Sequence, residues 1–294
     1  MLPFVVIVIV MMFCMALLFY REDYPKNLPK LNRIYYINLD RRPDRKEHVL
    51  KQMKQQGFDM TLVERFRAID GDQLQLTPQQ KRMFIHSDYR RHQYSSSRDR
   101  IMANQLSHYS ILQDMVKKNY EYILILQDDV VFKKGFLKHL EKVMNNIPRD
   151  AEIVNIGSHK EAFYAHFVPM DLENETENNT PCMSNVNNVI CKIHQNTNPC
   201  SLAYIVTKKG AINLLEYFQK TGFLRETDLN YNEYLASKNI NYASKKVLCT
   251  GALMGSDIFI EPLDHNKHFN MMEGVIRYAF EFLHQFVNFV NFRT

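Results

Sequence analysis

Short apolar runs alternate with amphipathic segments along most of the chain. Runs rich in β-branched and aromatic residues predict strands at 33–39, 63–69, 122–126, 153–156, 201–206 and 242–248. Apolar residues at helical spacing predict helices that begin at Pro43 and near Thr77, and further helices at 102–116, 135–144, 208–219 and 229–237. A basic, serine-rich stretch at 90–100 predicts a loop. This order predicts an α/β fold with a mostly parallel sheet covered by helices on both faces.

Local signals mark two of the predicted helix ends. Thr77 and Pro78 combine a hydroxyl that can cap a helix with proline at the first helical position, and Gln80 stands at the third. The helix that begins at Pro43 meets Gly57, a residue type that commonly ends helices. Both helices are therefore predicted with defined ends.

The first twenty residues are almost entirely apolar. Residues 2–20 carry no charge and are about as long as a helix that crosses roughly 30 Å of hydrocarbon. A cleaved signal peptide is the rival interpretation, but a basic start and a clear A-x-A site are missing. We predict a transmembrane signal-anchor at 1–20, a stem at 21–32 and a domain at 33–262.

Two sets of features give opposite predictions for the side of the membrane on which the domain lies. Arg21, Lys26, Lys30 and Arg33 follow the span, which by the positive-inside rule keeps the domain in the cytosol. Glycosylation sequons at 174–176 and 178–180, and four cysteines beyond the span, favour a lumenal domain. We predict a single-pass type II protein with its domain in the ER or Golgi lumen, and the opposite orientation stays open.

The end of the chain forms a further amphipathic pattern. Residues 263–294 are predicted to be a helix with an apolar stripe at Val275, Ala279, Phe282, Phe286 and Val290. This helix could pack on the domain or lie on the membrane.

Composition excludes several classes of protein. With 294 residues and only 9 Gly and 10 Pro, the chain is neither collagen-like nor of low complexity. The formal charge of +5 is small and the acidic residues are interspersed, so no nucleic-acid partner is predicted.

Two adjacent carboxylates follow the apolar strand at 122–126. In open α/β sheets ligands bind beyond the carboxyl ends of strands, which is where Asp128 and Asp129 are expected. Consecutive side chains point apart, so at most one of the two could bind a metal ion directly. Hard oxygen ligands suit Mg²⁺ or Mn²⁺. A solvated turn or a helix cap is the structural alternative.

A second charged segment follows the strand at 33–39. The stretch Asn38 to Arg45 carries guanidinium groups that could grip the phosphate or ribose of a nucleotide, or could simply begin a surface helix. His108 lies on the helix before the Asp128 strand, where it could reach the site or be a core histidine.

Taken together, these segments resemble glycosyltransferase family 25, the lipopolysaccharide-biosynthesis and procollagen galactosyltransferase family. The similar segments occur in the family's order and are Ile37–Asp40 with Arg42 and Arg45, Arg65–Ala68 with Asp70 and Gly71, Leu106–His108, Ile123–Val130, Ala203–Ala211, Asp228, and Ser256–Ile258. Two segments depart from the family pattern. Gln127 stands where a glutamate is usual, and residues 100–105 replace a Gly-Glu-rich lead-in.

The resemblance implies a GT-A-like fold and a transferase that moves galactose or glucose from a UDP-sugar to a hydroxyl on a glycan or protein, with inversion. It implies Mn²⁺ or Mg²⁺ held by Asp129 with Asp128. The implied donor-binding residues are Asn38, Asp40, Arg41, Arg45, Asp70, His108 and Asp128. Asp228 is the first candidate for the catalytic base, followed by Glu233 and Asp257. Residues 160–199 would form an acceptor-side loop, ordered by a disulfide such as Cys191 with Cys200.

Two other functions stay open at this point. Because Gln127 removes one carboxylate, the chain could be a catalytically silent homologue that binds a nucleotide-sugar or glycan and acts as a chaperone or adaptor. The same acidic strand end could also serve a metal-dependent phosphotransferase.

Overall fold

The computed structural model describes residues 30–85, 95–158, 172, 180–195, 200–252, 254 and 256–258. The predicted anchor at 1–20, nearly all of the stem and the predicted helix at 263–294 lie outside these residues. Within the described ranges, no helix is both long enough and apolar enough to cross a membrane.

Helices and strands alternate along the described chain. The helices are α1 (Pro43–Gln56), α2 (Pro78–Met83), α3 (Ser95–Lys117), α4 (Phe136–Asn145), α5 (Lys208–Thr221) and α6 (Thr227–Ser237). The strands are β1 (Arg33–Asn38), β2 (Val63–Arg67), β3 (Tyr122–Gln127), β4 (Val130–Phe132), β5 (Ile153–Asn155), β6 (Gly157–Ser158), β7 (Ser184–Asn185), β8 (Ile190–Lys192), β9 (Ala203–Thr207), β10 (Tyr242–Ser244) and β11 (Cys249–Gly251). All of them belong to one compact unit that ends at Gly255, and Ser256–Ile258 belong to a second unit.

Within the described residues, the predicted helices and strands are present, with two corrections. Residues 95–100, predicted as loop, are the first turns of α3. Serine is also a preferred residue at helix N-termini, so a serine-rich stretch does not distinguish a loop from a helix start. The strand predicted at 242–248 is shorter and ends at Ser244 as β10, and the following strand, β11, belongs to a different sheet. The predicted capping signals are confirmed: Thr77 and Gln80 form a reciprocal capping box, and Gly57 ends α1 with a φ of 79°.

The large sheet has the strand order β2-β1-β3-β9-β5-β10-β8-β7. It is mixed, which corrects the prediction of a mostly parallel sheet: β2, β1 and β3 run parallel, and β9 lies antiparallel between β3 and β5. The reason is that β5 ends at the carboxyl edge of the sheet and β9 begins there, with Asn155 opposite Tyr204. The chain therefore re-enters the sheet in the reverse direction.

Helices cover both faces of the central strands. Tyr35, Ile125 and Tyr204 are neighbours in register across β1, β3 and β9. Asp114 and His108 of α3 bond to Tyr35 and Tyr204, so α3 covers this face. The connection β1-α1-β2 moves in one direction across the sheet, and the connection β2-α3-β3 moves in the opposite direction. Because such connections are right-handed, α1 lies on the face opposite to α3.

A three-stranded sheet, β4-β11-β6, continues from the carboxyl edge of the large sheet. Its strand β4 begins directly after Asp129 and pairs antiparallel with β11. An aromatic cluster of Phe58, Phe132 and Phe136 packs below it. The small sheet therefore fixes the backbone on the far side of the two aspartates.

The observed disulfide differs from the expected one. Cys182 bonds to Cys191 and closes the hairpin β7–β8, with a Cα–Cα distance of 5.7 Å. Cys200 lies instead in the core at the approach to β9, and Cys249 is buried in β11. The expectation of a Cys191–Cys200 bond is wrong, because Cys191 is bonded to Cys182 and its neighbours in the sheet are Asn185 and Ala243.

Candidate active site

The two charged segments singled out in the sequence meet at the carboxyl edge of the sheet. Because β1 and β3 are adjacent and parallel, with Ile37 opposite Gln127, the residues that follow both strands lie side by side. The Asn38 Nδ2 atom donates a hydrogen bond of 2.7 Å to Asp128 Oδ2. This bond joins positions 90 residues apart in the chain and brings the two strand ends into contact.

Hydrogen bonds fix the carboxylate of Asp128 in place. It is 5% exposed, and its second oxygen, Oδ1, accepts a 3.1 Å bond from Arg45 Nη1. Burial raises the pKa of Asp128, while the hydrogen bonds from Asn38 and the charge of Arg45 oppose that rise. With a donor on each oxygen, Asp128 is shaped to be a fixed anchor within the site.

The carboxylate of Asp129, in contrast to that of Asp128, is not satisfied by hydrogen bonds on both oxygens. Its Oδ1 atom is buried and has no hydrogen-bond partner among the described residues, and its Oδ2 lies 3.8 Å from Arg45 Nη1. The backbone is fixed, because Asp129 O accepts a 2.6 Å bond from Ala252 N. A buried oxygen without a donor is costly unless a ligand satisfies it, so Asp129 suits a cation.

The residues present therefore fit a hard divalent ion held by few protein ligands. No cluster of three or more His, Cys, Asp or Glu side chains occurs within the described ranges. Mg²⁺ and similar ions are often held by one or two carboxylates, with substrate phosphates completing the coordination. Asp129 as ligand, with Asp128 fixed beside it, matches that arrangement.

A guanidinium group from β2 supports the site from the side. Arg65 Nε donates to Asn38 Oδ1 at 2.9 Å, and Arg65 Nη2 donates to Asn38 O and to Asp40 Oδ1 at 3.2 and 2.7 Å. Arg67 pairs with the other oxygen of Asp40 at 2.6 Å. The hydrogen bond from Arg65, together with the charge of Arg67, lowers the pKa of Asp40. Sequence reasoning did not include Arg65 in the site.

Asp70 and Arg41 lie at the neighbouring end of β2. Arg41 Nε contacts Asp70 Oδ2 at 3.0 Å, and Asp70 also accepts a bond from Asp72 N, which closes a 3₁₀ turn at Gly71–Gln73. Arg100 of α3 binds Asp72 through two 2.8 Å bonds. A side chain at position 71 would stand 2.4 Å from Arg100 Cα, so glycine is required for this close approach. The turn holds Arg41 close to the strand ends.

His108 has the contacts of a core residue. It is fully buried, and its Nδ1 lies 2.6 Å from the hydroxyl of Tyr204. Burial lowers the pKa of His108 to about 3, so the imidazole is neutral. None of its described contacts reaches Asp128 or Asp129, which agrees with the core alternative, and its Nε2 is buried without a hydrogen-bond partner among the described residues.

Asp228 lies at the same edge of the sheet as the paired aspartates. Thr227 at the start of α6 donates to Asn104 of α3 at 2.9 Å, whereas Lys238 just beyond α6 pairs with Glu152 before β5 at 2.9 Å. The N-terminus of α6 therefore points to the carboxyl edge. Asp228 Oδ1 accepts a 2.9 Å bond from Leu229 N, so part of its role is local.

The two remaining base candidates occupy different places. Glu233 is half-buried midway along α6, further from the carboxyl edge than Asp228. Asp257 belongs to the second unit.

Gln127 faces away from the aspartates. Its Nε2 donates to Ser201 Oγ at 3.0 Å, and its backbone N–H donates to Leu202 O at 2.8 Å. The glutamine that departs from the family pattern therefore ties β3 to the approach of β9. No described bond of the Gln127 side chain involves Asp128 or Asp129.

Known proteins resemble this chain over most of its described length. Residues 31–230 match Glycosyltransferase family 25 (LPS biosynthesis protein). Procollagen galactosyltransferase 2 of Homo sapiens is 28% identical over 250 residues, covering 78% of this chain and 36% of that protein. Glycosyltransferase 25 family member of Drosophila melanogaster is 29% identical over 206 residues, covering 66% and 30%. The chain spans about a third of the length of these relatives.

A solved structure, mouse Xyloside xylosyltransferase 1 in its apo form, is 11% identical and covers 75% of this chain and 79% of that chain. Its TM-score of 0.29 is too low to support a statement about the fold. The family match is different in kind, because it extends over more than half of the 294 residues and includes both strand ends of the site. The chain therefore belongs to glycosyltransferase family 25.

Proposed function

We propose that this protein is a membrane-anchored glycosyltransferase that moves a hexose, galactose or glucose, from a UDP-sugar to a hydroxyl group on a glycan or protein, with inversion. The observation that carries the proposal is the buried Oδ1 of Asp129, which has no donor among the described residues and lies beside the bonded pair Asn38 and Asp128. Family membership and a relative named as a galactosyltransferase support the choice of sugar.

The two aspartates have different tasks in this scheme. Asp129 would hold Mn²⁺ or Mg²⁺, and Asp128, held by Asn38 and Arg45, would keep the strand end rigid beside it. When bound, such an ion supplies positive charge that neutralises the departing diphosphate. Asp40, Arg41 and Asp70 at the neighbouring strand ends would contact the nucleotide.

The transfer itself needs a base on the acceptor side. Asp228, at the N-terminus of α6, would take the proton of the acceptor hydroxyl as its oxygen attacks the anomeric carbon. The bond between that carbon and the β-phosphate oxygen breaks, and UDP leaves with the bonding electron pair. Glu233 and Asp257 are the reserve candidates for the same role.

We also propose that residues 1–20 anchor the protein and that the domain lies in the ER or Golgi lumen. The Cys182–Cys191 disulfide supports this assignment, because disulfides persist in oxidising compartments and are rare in the cytosol. The sequons at 174–176 and 178–180 agree with it.

The test is release of UDP by the full chain from a panel of UDP-sugars and acceptors, with Mn²⁺ and with EDTA. We expect release from one sugar in Mn²⁺ only, and a loss of about 100-fold or more in Asp129→Ala. Asp150→Asn is the matched control, because it removes an exposed carboxylate that precedes β5 at the opposite edge of the sheet. Its activity should stay within about twofold of wild type.

Other outcomes separate the alternatives. Full activity of Asp129→Ala would remove Asp129 from the mechanism, and full activity in EDTA would remove the metal. UDP binding without release from any sugar would support a silent binding protein. Transfer of labelled phosphate in place of labelled sugar would identify a phosphotransferase.

A further inference from the structure

The Arg65 side chain reaches across β1 toward the aspartate pair. From β2 it donates to three acceptors: the side-chain oxygen of Asn38, the backbone oxygen of Asn38 and a carboxylate oxygen of Asp40. Its side chain is 27% exposed, whereas that of Arg67 on the same strand is 79% exposed. The Arg65 side chain is therefore packed against the side of the site, whereas that of Arg67 is largely exposed to solvent.

The chemistry of these donors determines which way the Asn38 amide faces. A guanidinium group can only donate hydrogen bonds, so the atom of Asn38 nearest Arg65 Nε must be the acceptor Oδ1. The Nδ2 group then faces the other way, where it donates to Arg42 O at 3.0 Å and to Asp128 Oδ2 at 2.7 Å. Every hydrogen-bonding group of the amide is used in this one orientation.

The reverse orientation would disturb Asp128. A rotated amide would place Oδ1 against Asp128 Oδ2, and two acceptors at that distance repel each other. Of the two described donors to Asp128, only Arg45 would remain, and the Asp128 carboxylate would have to move. Because Asp129 follows directly in the chain, its position would change as well.

We infer that Arg65 is a positioning residue, which orients the Asn38 amide and through it holds the carboxylate of Asp128 in place. This inference rests on the proposed transferase function for its catalytic consequence. Its structural half, the dependence of the Asn38 amide on Arg65, can be tested without turnover.

The chain offers a matched pair of variants. Arg65→Met removes the side-chain bonds to Asn38, whereas Arg67→Met removes an equal charge from the same strand and from the same partner, Asp40. Arg67 lies opposite Asn38 in the sheet, but no described bond joins its side chain to Asn38. Thermal unfolding of both variants reports whether either one fails to fold. Arg65→Gln, a smaller polar replacement, is used in place of Arg65→Met in that case.

The first readout is the side-chain amide of Asn38 in ¹H–¹⁵N spectra of the full chain in detergent, assigned by its loss in Asn38→Ala. We expect both amide protons to be shifted and protected from exchange in wild type and in Arg67→Met. In Arg65→Met both signals should move and exchange faster. Unchanged Asn38 signals in Arg65→Met would overturn the inference, whatever the activity.

The second readout is kcat for UDP release at saturating donor. We expect Arg65→Met to lower kcat about tenfold or more, since small misplacements of reacting groups carry penalties of this order. Arg67→Met should stay within about twofold. In an Asn38→Ala background, Arg65→Met should add less than about a threefold loss, because both changes break one coupled contact.

The outcomes distinguish this inference from the proposed function. A moved Asn38 amide in a protein that shows no turnover with any donor would support the structural inference and count against the transferase. Wild-type kcat together with wild-type Asn38 signals in Arg65→Met would support the transferase and overturn the structural inference. Additive losses in the Asn38→Ala background would show that Arg65 acts by another route.

Discussion

Among single residues, His108 connects the core of the protein to its behaviour in acid. The fully buried imidazole is neutral in the folded state, because burial lowers its pKa to about 3. In the unfolded chain a histidine binds a proton below about pH 6.5. Acid therefore favours unfolding between pH 6.5 and 3, by up to about 1.4 kcal/mol per pH unit from this residue.

His108→Gln should remove this contribution while keeping a hydrogen-bonding group near Tyr204. As the pH is lowered from 6.5 to 4.5, we expect the free energy of unfolding to fall more steeply in the wild type than in the variant. The difference between the two slopes should correspond to about one bound proton. Urea unfolding at several pH values measures both slopes. Parallel slopes would show that His108 is charged or exposed in the folded protein.

If Asp228 is the catalytic base, as proposed, its replacement should separate donor binding from transfer. Asp228→Asn keeps the size of the side chain but cannot accept a proton at neutral pH. We expect kcat to fall by about 100-fold or more with little change in the donor KM. Glu226→Gln removes a charge from the same end of α6 and should leave kcat unchanged. Equal losses in kcat and donor affinity would mark Asp228 as a donor contact.

How far the site could be predicted depends on the origin of each contact. Asp128 and Asn38 could be placed together because both follow apolar strands, and the ends of adjacent parallel strands meet at one edge. Arg65 could not be assigned, since its role depends on the register between β1 and β2, with Tyr36 opposite Arg65. Register is a property of the assembled sheet, which one sequence does not contain.

At the scale of elements, the junction of α5 with β5 depends on one glycine. A Cβ atom at position 210 would lie 2.2 Å from the backbone oxygen of Glu152. Gly210→Ala should therefore separate the helix from the strand and lower the free energy of unfolding by about 2 kcal/mol. Lys209→Ala, at the exposed neighbouring position, should change it by less than about 0.5 kcal/mol. Urea denaturation compares the two, and an unaffected Gly210→Ala variant would contradict the close packing.

Element prediction succeeded where the signal is local and failed where it is not. Thr77 with Gln80 and the glycine at position 57 define helix ends through neighbours in sequence, and both ends were predicted. Strands β4, β6, β7, β8 and β11 were not predicted, and each has only two or three residues. Such short strands exist through their distant partners, and a window of sequence shows no period for them.

For the molecule as a whole, the cysteines provide a direct test of the chain's path. Peptide mapping without reduction should recover Cys182 linked to Cys191. Cys200 and Cys249 should react with an alkylating reagent only after denaturation, because both are buried and burial raises the pKa of the Cys249 thiol well above its usual value. A free Cys182, or a link between Cys191 and Cys200, would contradict the described hairpin.

The position of β10 and β11 also bears on how this protein can be truncated. The match to the family ends at residue 230, yet β10 lies between β5 and β8, and β11 lies between β4 and β6. A fragment that stops at the family boundary would expose four unpaired strand edges, which invite aggregation. It would also lose Ala252, whose backbone N–H holds the backbone oxygen of Asp129. Expression trials should therefore extend beyond residue 254.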